Sequence, residues 1–242
     1  MKAIVALLTA VFLGAAAAPA LAADRPVDGD FRTLKLGLLA GEMSEEGYYA
    51  FACGSNGGPP LRAIEGWTDF ARCEPEEASG LHEVYVEYDD ELATRAEALT
   101  RLGADARSVG KYSGTRVAGH PVVLSVLFDS DGVVKGLRAV TDSRAKYEDR
   151  RKAYLLRIPI QFRYGRRNWS CADIDPAPGE KPLGDIFIKL HCQKIAADRR
   201  LVLEAHLYRK AGQRGVDDND QLAVGEFRSE ARIEIWDLSV GF

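Results

Sequence analysis

Residues 82–88 place Val84, Val86 and Tyr88 in alternation with Glu83, Tyr85 and Glu87, the period-two pattern of a strand with one buried and one wet face. Residues 121–128 form a nearly continuous apolar run. Asp129, Ser130, Asp131 and Gly132 then supply turn chemistry, and 133–140 return, which predicts a hairpin. Further strands are expected at 48–53, 67–73, 169–171, 186–192, 201–208 and 227–237. Helical spacing appears three times. Leu38, Leu39 and Met43 give a short stripe within 31–47. Leu92, Ala96, Leu99 and Leu102 predict a helix over 91–102 that stops at Gly103. Tyr147, Tyr154, Leu155 and Ile158 predict one over 144–157, with Glu148 and Lys152 paired across a turn and Pro159 ending or kinking it. The breaker-rich stretches 54–60 and 175–184 read as loops, and 212–220 as an acidic, exposed connection.

The four cysteines organise these elements. Cys53 and Cys73 lie 20 apart and are followed by the strand 81–88; Cys171 and Cys192 lie 21 apart and are followed by the similar strand 201–208. The chain reads as one module used twice, and duplication copies a local bridge within each unit. The expected pairs are therefore Cys53 with Cys73 and Cys171 with Cys192. The expected fold class is α+β, as two repeated units over 23–142 and 143–242. Each would be a helix packed on a roughly four-stranded antiparallel sheet with one local disulfide. That order, with Leu36, Gly37 and Leu38 leading through Glu42 to Met43 and one local bridge per unit, resembles the tandem helix-plus-sheet modules of the beta-lactamase-inhibitor-protein type. Those are related in shape to the small outer-membrane assembly lipoprotein modules. The resemblance implies a concave sheet used to bind another protein and transfers no functional residues.

Residues 1–22 have the form of a secretory signal peptide: Lys2, an apolar stretch over 3–18, then Pro19 before Ala20, Leu21 and Ala22. Cleavage after Ala22 would put all four cysteines in an oxidising compartment, periplasmic or extracellular, and would leave no window apolar enough for a transmembrane helix. The formal charge of −4 becomes one unit more negative when Lys2 is lost, which disfavours nucleic acid as a partner. Charge is unevenly placed. Residues 74–91 hold eight acidic side chains and no Lys or Arg, whereas 144–167 hold nine basic ones against Glu148 and Asp149. Such asymmetry suits steering of a charged partner.

No familiar catalytic motif is present. Cys53 stands where a nucleophile elbow needs its first glycine, in Cys53-Gly54-Ser55-Asn56-Gly57. Val86 stands where a zinc-protease helix that begins at His82-Glu83 needs its second histidine. Residues 129–132 lack the later ligands of a calcium loop, and the cysteine spacing is not that of a zinc site, so neither metal nor cofactor is expected. An enzyme reading rests on His82, His191 and His206 or on Glu83 and Glu87 meeting between the units. A third reading, a small outer-membrane barrel, rests on Trp236, Leu238, Val240 and Phe242 alternating to the terminus. The leading expectation is a secreted or periplasmic, non-enzymatic binding or accessory protein. Its sheet surface would engage a protein or other envelope macromolecule. The candidate interaction residues are Tyr48, Tyr49, Trp67 and Tyr85 as aromatic anchors and Arg150, Arg151 and Lys152 as steering charges.

Overall fold

The computed structural model describes residues 30–89, 114–196, 198–219, 221–223 and 225–241. The leader expected over 1–22 and the helix expected over 91–102 lie outside them. The strands are β1 (Tyr48–Cys53), β2 (His82–Tyr88), β3 (Arg116–Val117), β4 (His120–Phe128), β5 (Val134–Thr141), β6 (Ser170–Asp173), β7 (Ile188–Ala196), β8 (Arg199–Tyr208) and β9 (Arg228–Asp237). All belong to one antiparallel sheet in the order β1-β2-β4-β5-β9-β8-β7-β6. β3 pairs with β4 beyond the end of β2, where Thr115 Oγ1 accepts the Tyr88 N–H, so the chain rejoins the line of β2 where it left it.

This corrects the expectation of two helix-on-sheet units. Each half is a four-strand meander, but the last strand of one pairs with the last strand of the other, Leu137 facing Ile235 and Ala139 facing Ile233. Two strand edges that separate units would leave open satisfy each other instead. The matching sequences are also not equivalent in space: β2 lies second from one edge and β8 third from the other. Both expected disulfides are present, in different settings. Cys171 and Cys192 face each other directly across β6 and β7, whereas Cys53 at the end of β1 joins Cys73 after a 3-10 helix.

One core cluster spans the sheet. Val84 and Val86, then Val122, Leu124 and Val126, then Leu137 and Ala139, then Ile233 and Ile235, then Leu201 and Leu203 line one face. Phe31, Leu34 and Trp67 from the first half, and Leu156 and Ile160 from the helical segment, complete it. That segment is not one helix. It runs as α1 (Tyr147–Arg151), a 3-10 turn (Ala153–Leu156) and α2 (Arg157–Arg163). Pro159 sits in the first turn of α2, where a backbone N–H would have no intrahelical acceptor, so it begins a helix rather than ending one. Ala153, Leu156 and Ile160 pack inward, while the expected packing residue Ile158 is exposed. Residues 67–72, expected as a strand, form the 3-10 helix Trp67–Arg72, which drops the Trp67 indole into the core. Among the described residues, β1 and β6 are the two edges of an open sheet, and no helix is long and apolar enough to cross a membrane. β9 ends at Asp237, so the alternation read through Leu238 and Val240 does not continue as strand.

Candidate functional site

Period-two alternation sends a second set of side chains to the opposite face, and cross-strand register arranges them in rows. One row runs Tyr85, Ser125, Arg138, Glu234, Val202; the next runs Glu83, Leu127, Gly136, Trp236, Arg200. Gly136 leaves room for the Trp236 indole, since a Cβ there would lie 2.6 Å from Cζ3 of the ring. Residues 54–58 and 74–80 fold over these rows. Thus Glu83 and Tyr85, expected on a wet face, are buried.

Arg138 is the centre of the arrangement. Its guanidinium donates to Glu234 Oε1 through Nε at 2.8 Å and to both oxygens of Glu76 at 2.5 and 3.1 Å, and Nη1 lies 3.1 Å from Glu83 Oε1. Burial opposes its charge, but the hydrogen bond to Glu76 and the fields of Glu83, Glu234 and Glu76 outweigh burial and raise its pKa. Burial likewise pushes the Glu76 carboxyl up, yet its hydrogen bonds and charge pairing with Arg138, with help from Glu83 and Ser79, hold it below the ordinary value. Glu83 also anchors the overlying loop by accepting the N–H groups of Asn56 at 2.5 Å and Gly57 at 3.3 Å. Gly57 has φ +81° and passes so close to Val140 that a Cβ would lie 2.3 Å from its methyl. Arg232 closes the side, with Nε donating to Glu234 at 2.9 Å and Nη1 to the Asn56 carbonyl at 3.0 Å, and the Trp236 indole N–H donates to Glu234 at 3.2 Å.

Between loops and strands lies a cleft of about 520 Å³. Glu74, Glu76, Glu77, Glu83 and Glu234 line it against only Arg138 and Arg232. Both arginines are consumed by the floor carboxylates. Glu74 and Glu77 at the exposed mouth have no cationic partner among the described residues. The cleft is therefore acidic, with an indole in its wall, a combination that attracts cations.

The residues singled out in the sequence are placed differently. Tyr48, Trp67 and Tyr85 are not surface anchors: all three are buried. Tyr48 meets Trp67 edge-on at 5.5 Å and shares a hydrogen bond with Thr33; the Trp67 indole donates to the Ser44 carbonyl at 3.2 Å. The Tyr85 hydroxyl donates to Glu87, and burial followed by that bond pushes its pKa up to about 12. Only Tyr49 among the four is exposed. Arg151 pairs with Glu148 at 3.0 Å, Lys152 is exposed, and Arg150 lines a separate pocket.

The histidines and carboxylates do not converge on one centre. His82 points to the core face, its Nδ1 2.6 Å from the Cys73 carbonyl. His191 and His206 are diagonal neighbours on β7 and β8, His191 beside Glu204 at 3.4 Å. Glu83 and Glu87 share a strand face four residues apart, which is about 13 Å along a strand, farther than the roughly 5–9.5 Å of paired glycosidase carboxylates. No group of three or more His, Cys, Asp or Glu that could hold a metal occurs among the described residues. Arg138 went unnoticed in the sequence. Its local signal is a charge flanked by apolar Leu137 and Ala139, in a return strand that also carries Lys135. No protein-family profile, no curated protein and no solved structure matches this chain.

Proposed function

We propose that this chain is an exported binding protein that engages another macromolecule through the polar face of its sheet, by taking a lysine- or arginine-bearing segment into the acidic cleft. The carrying observation is the excess of carboxylates there: Glu74 and Glu77 stand unneutralised above a floor whose two arginines are already engaged. The leader-like residues 1–22 and the two disulfides support export. The carboxylate depressed by Arg138 suits a fixed negative charge better than a proton donor, since at neutral pH it carries no proton to give.

Calorimetric titration of the folded chain with an arginine-rich peptide and a glutamate-rich peptide of equal length tests this reading. The basic peptide is expected to bind with an affinity that falls as salt rises and that drops in Glu74→Gln/Glu77→Gln. Equal or absent binding of both peptides overturns it.

A further inference from the structure

Away from the acidic cleft, where β5 ends and β9 begins, four stretches of chain enclose a pocket of about 270 Å³. Thr141, Asp142 and Ser143 come from the end of β5 and its turn, Arg150 and Ala153 from the helical segment, Lys210 and Gln213 from the connection after β8, and Phe227 to Glu230 from the approach to and start of β9. A further space of about 30 Å³ at Arg150, Phe227 and Ser229 extends it.

The charges around this pocket do not cancel. Asp142 is held by Arg144, whose Nε and Nη2 approach it at 3.0 and 2.9 Å. Glu230 is held by Arg228 through two contacts of 3.1 Å, and Arg228 also donates to the Tyr208 hydroxyl at 3.0 Å. Both lining carboxylates thus have guanidinium partners. The side chains of Arg150 and Lys210 have neither a carboxylate nor a hydrogen-bond partner among the described residues. Their mounts are nevertheless fixed. Ser229 Oγ accepts the Tyr154 N–H at 3.3 Å and donates to the Arg151 carbonyl at 3.2 Å, which ties the turn carrying Arg150 to β9. Gln213 accepts the Lys210 N–H at 2.7 Å and donates to the Gly225 carbonyl at 2.5 Å. Buried Phe227 supplies an apolar wall.

We infer that this pocket binds the phosphate group of a phosphomonoester, with Arg150 and Lys210 as its two cationic contacts. Two uncompensated cations match a group of about −1.5 to −2 charge. A guanidinium gives the planar two-point contact that phosphate oxygens accept, and an ammonium adds a point charge from the other side. Phe227 gives the carbon skeleton of the ester a surface to lie on. The same phosphate could be carried by a small soluble molecule or by a lipid headgroup, and the recognition chemistry is shared.

The test uses the full folded chain and glycerol phosphate, inorganic phosphate and succinate as soluble probes, with vesicles of phosphatidylcholine with and without phosphatidic acid. Saturable binding of glycerol phosphate, tighter than that of succinate, is expected, and it raises the melting temperature. Arg150→Gln and Lys210→Gln should each weaken binding about tenfold, the equivalent of one charge-assisted hydrogen bond. Arg151→Gln, next in sequence but paired with Glu148, should leave it unchanged. Because neither Arg150 nor Lys210 has a partner to orphan, the variants should keep the wild-type circular dichroism. Binding of the soluble ester assigns a small-molecule ligand; binding only of phosphatidic acid vesicles, with the same two variants deficient, assigns a headgroup. The inference is overturned if no phosphate probe binds at millimolar concentration, if succinate binds as tightly as the ester, or if Arg151→Gln loses as much as Arg150→Gln.

Discussion

Arg138 holds three carboxylates whose mutual repulsion would otherwise bear on the centre of the sheet. Removing one member of a buried charge network costs more than its presence gains, because the partners stay buried and uncompensated. Arg138→Met is therefore expected to lower the unfolding free energy by about 3–5 kcal/mol, measured by urea denaturation, and Glu74→Gln at the exposed mouth by far less. A second residue-scale outcome concerns acid. Burial lowers the pKa of His120, between Asp149 and Arg116, and of His206, which sits near Arg228, Glu230, Glu204 and Lys189. Each therefore takes up a proton less readily when folded than in the unfolded chain, which titrates near the ordinary 6.5. Below that value the unfolded state takes up more protons, so stability is full above it and falls as the pH drops toward the folded values. Melting temperatures should decline from pH 7 to 5.5, and His120→Gln/His206→Gln should flatten that decline. An unchanged slope in the double variant would assign the acid sensitivity elsewhere.

At the scale of elements, Gly136 and the two bridges show how local pieces hold the cleft. An alanine in open strand would gain roughly 0.5–1 kcal/mol over glycine, but at position 136 the new Cβ meets the Trp236 ring at 2.6 and 2.7 Å. Overpacking of that kind costs about 1–3 kcal/mol, so Gly136→Ala is expected to destabilise, with a shifted tryptophan emission, and a gain in stability would show that the ring yields freely. Each disulfide closes a loop of similar length, worth about 3 kcal/mol in the chain-entropy model. Their functional consequences should differ. Cys53–Cys73 spans the loop 54–58 that roofs the cleft, whereas Cys171–Cys192 pins the short edge strand β6. Replacing Cys53 and Cys73 by alanine should weaken binding of the basic peptide. The same change at Cys171 and Cys192 should reduce stability alone.

For the whole molecule, the decisive contact is the central pair β5 and β9. The core cluster crosses it without interruption, so neither meander can unfold without exposing the inner edge of the other. Calorimetry of the oxidised chain should give a single transition whose calorimetric and van 't Hoff enthalpies agree. Two resolved transitions, or a folded fragment 143–242 produced alone, would show that the halves are independent after all.

What the sequence determined by itself is local. Local pattern placed β2, β4, β5 and β8 to within a residue or two, by alternation in β2 and a nearly continuous apolar run in β4; Asp129 to Gly132 announced the β4–β5 hairpin, and cysteine spacing announced both bridges, because each of these depends on residues within about 20 positions of one another. Short mixed segments were less legible: Trp67 to Arg72, with Thr68, Asp69 and Arg72 among its six residues, is a 3-10 helix that buries the Trp67 indole in the core. The tertiary structure alone decided which strands are neighbours and which faces are covered. Period-two alternation says that Glu83 and Tyr85 share a face; it does not say that two loops will roof it. The candidate site follows the same logic. Arg138 meets Glu76 across 62 residues of chain and Glu234 across 96, so the cleft exists only once β5 and β9 have found each other, through long-range register that no local pattern encodes.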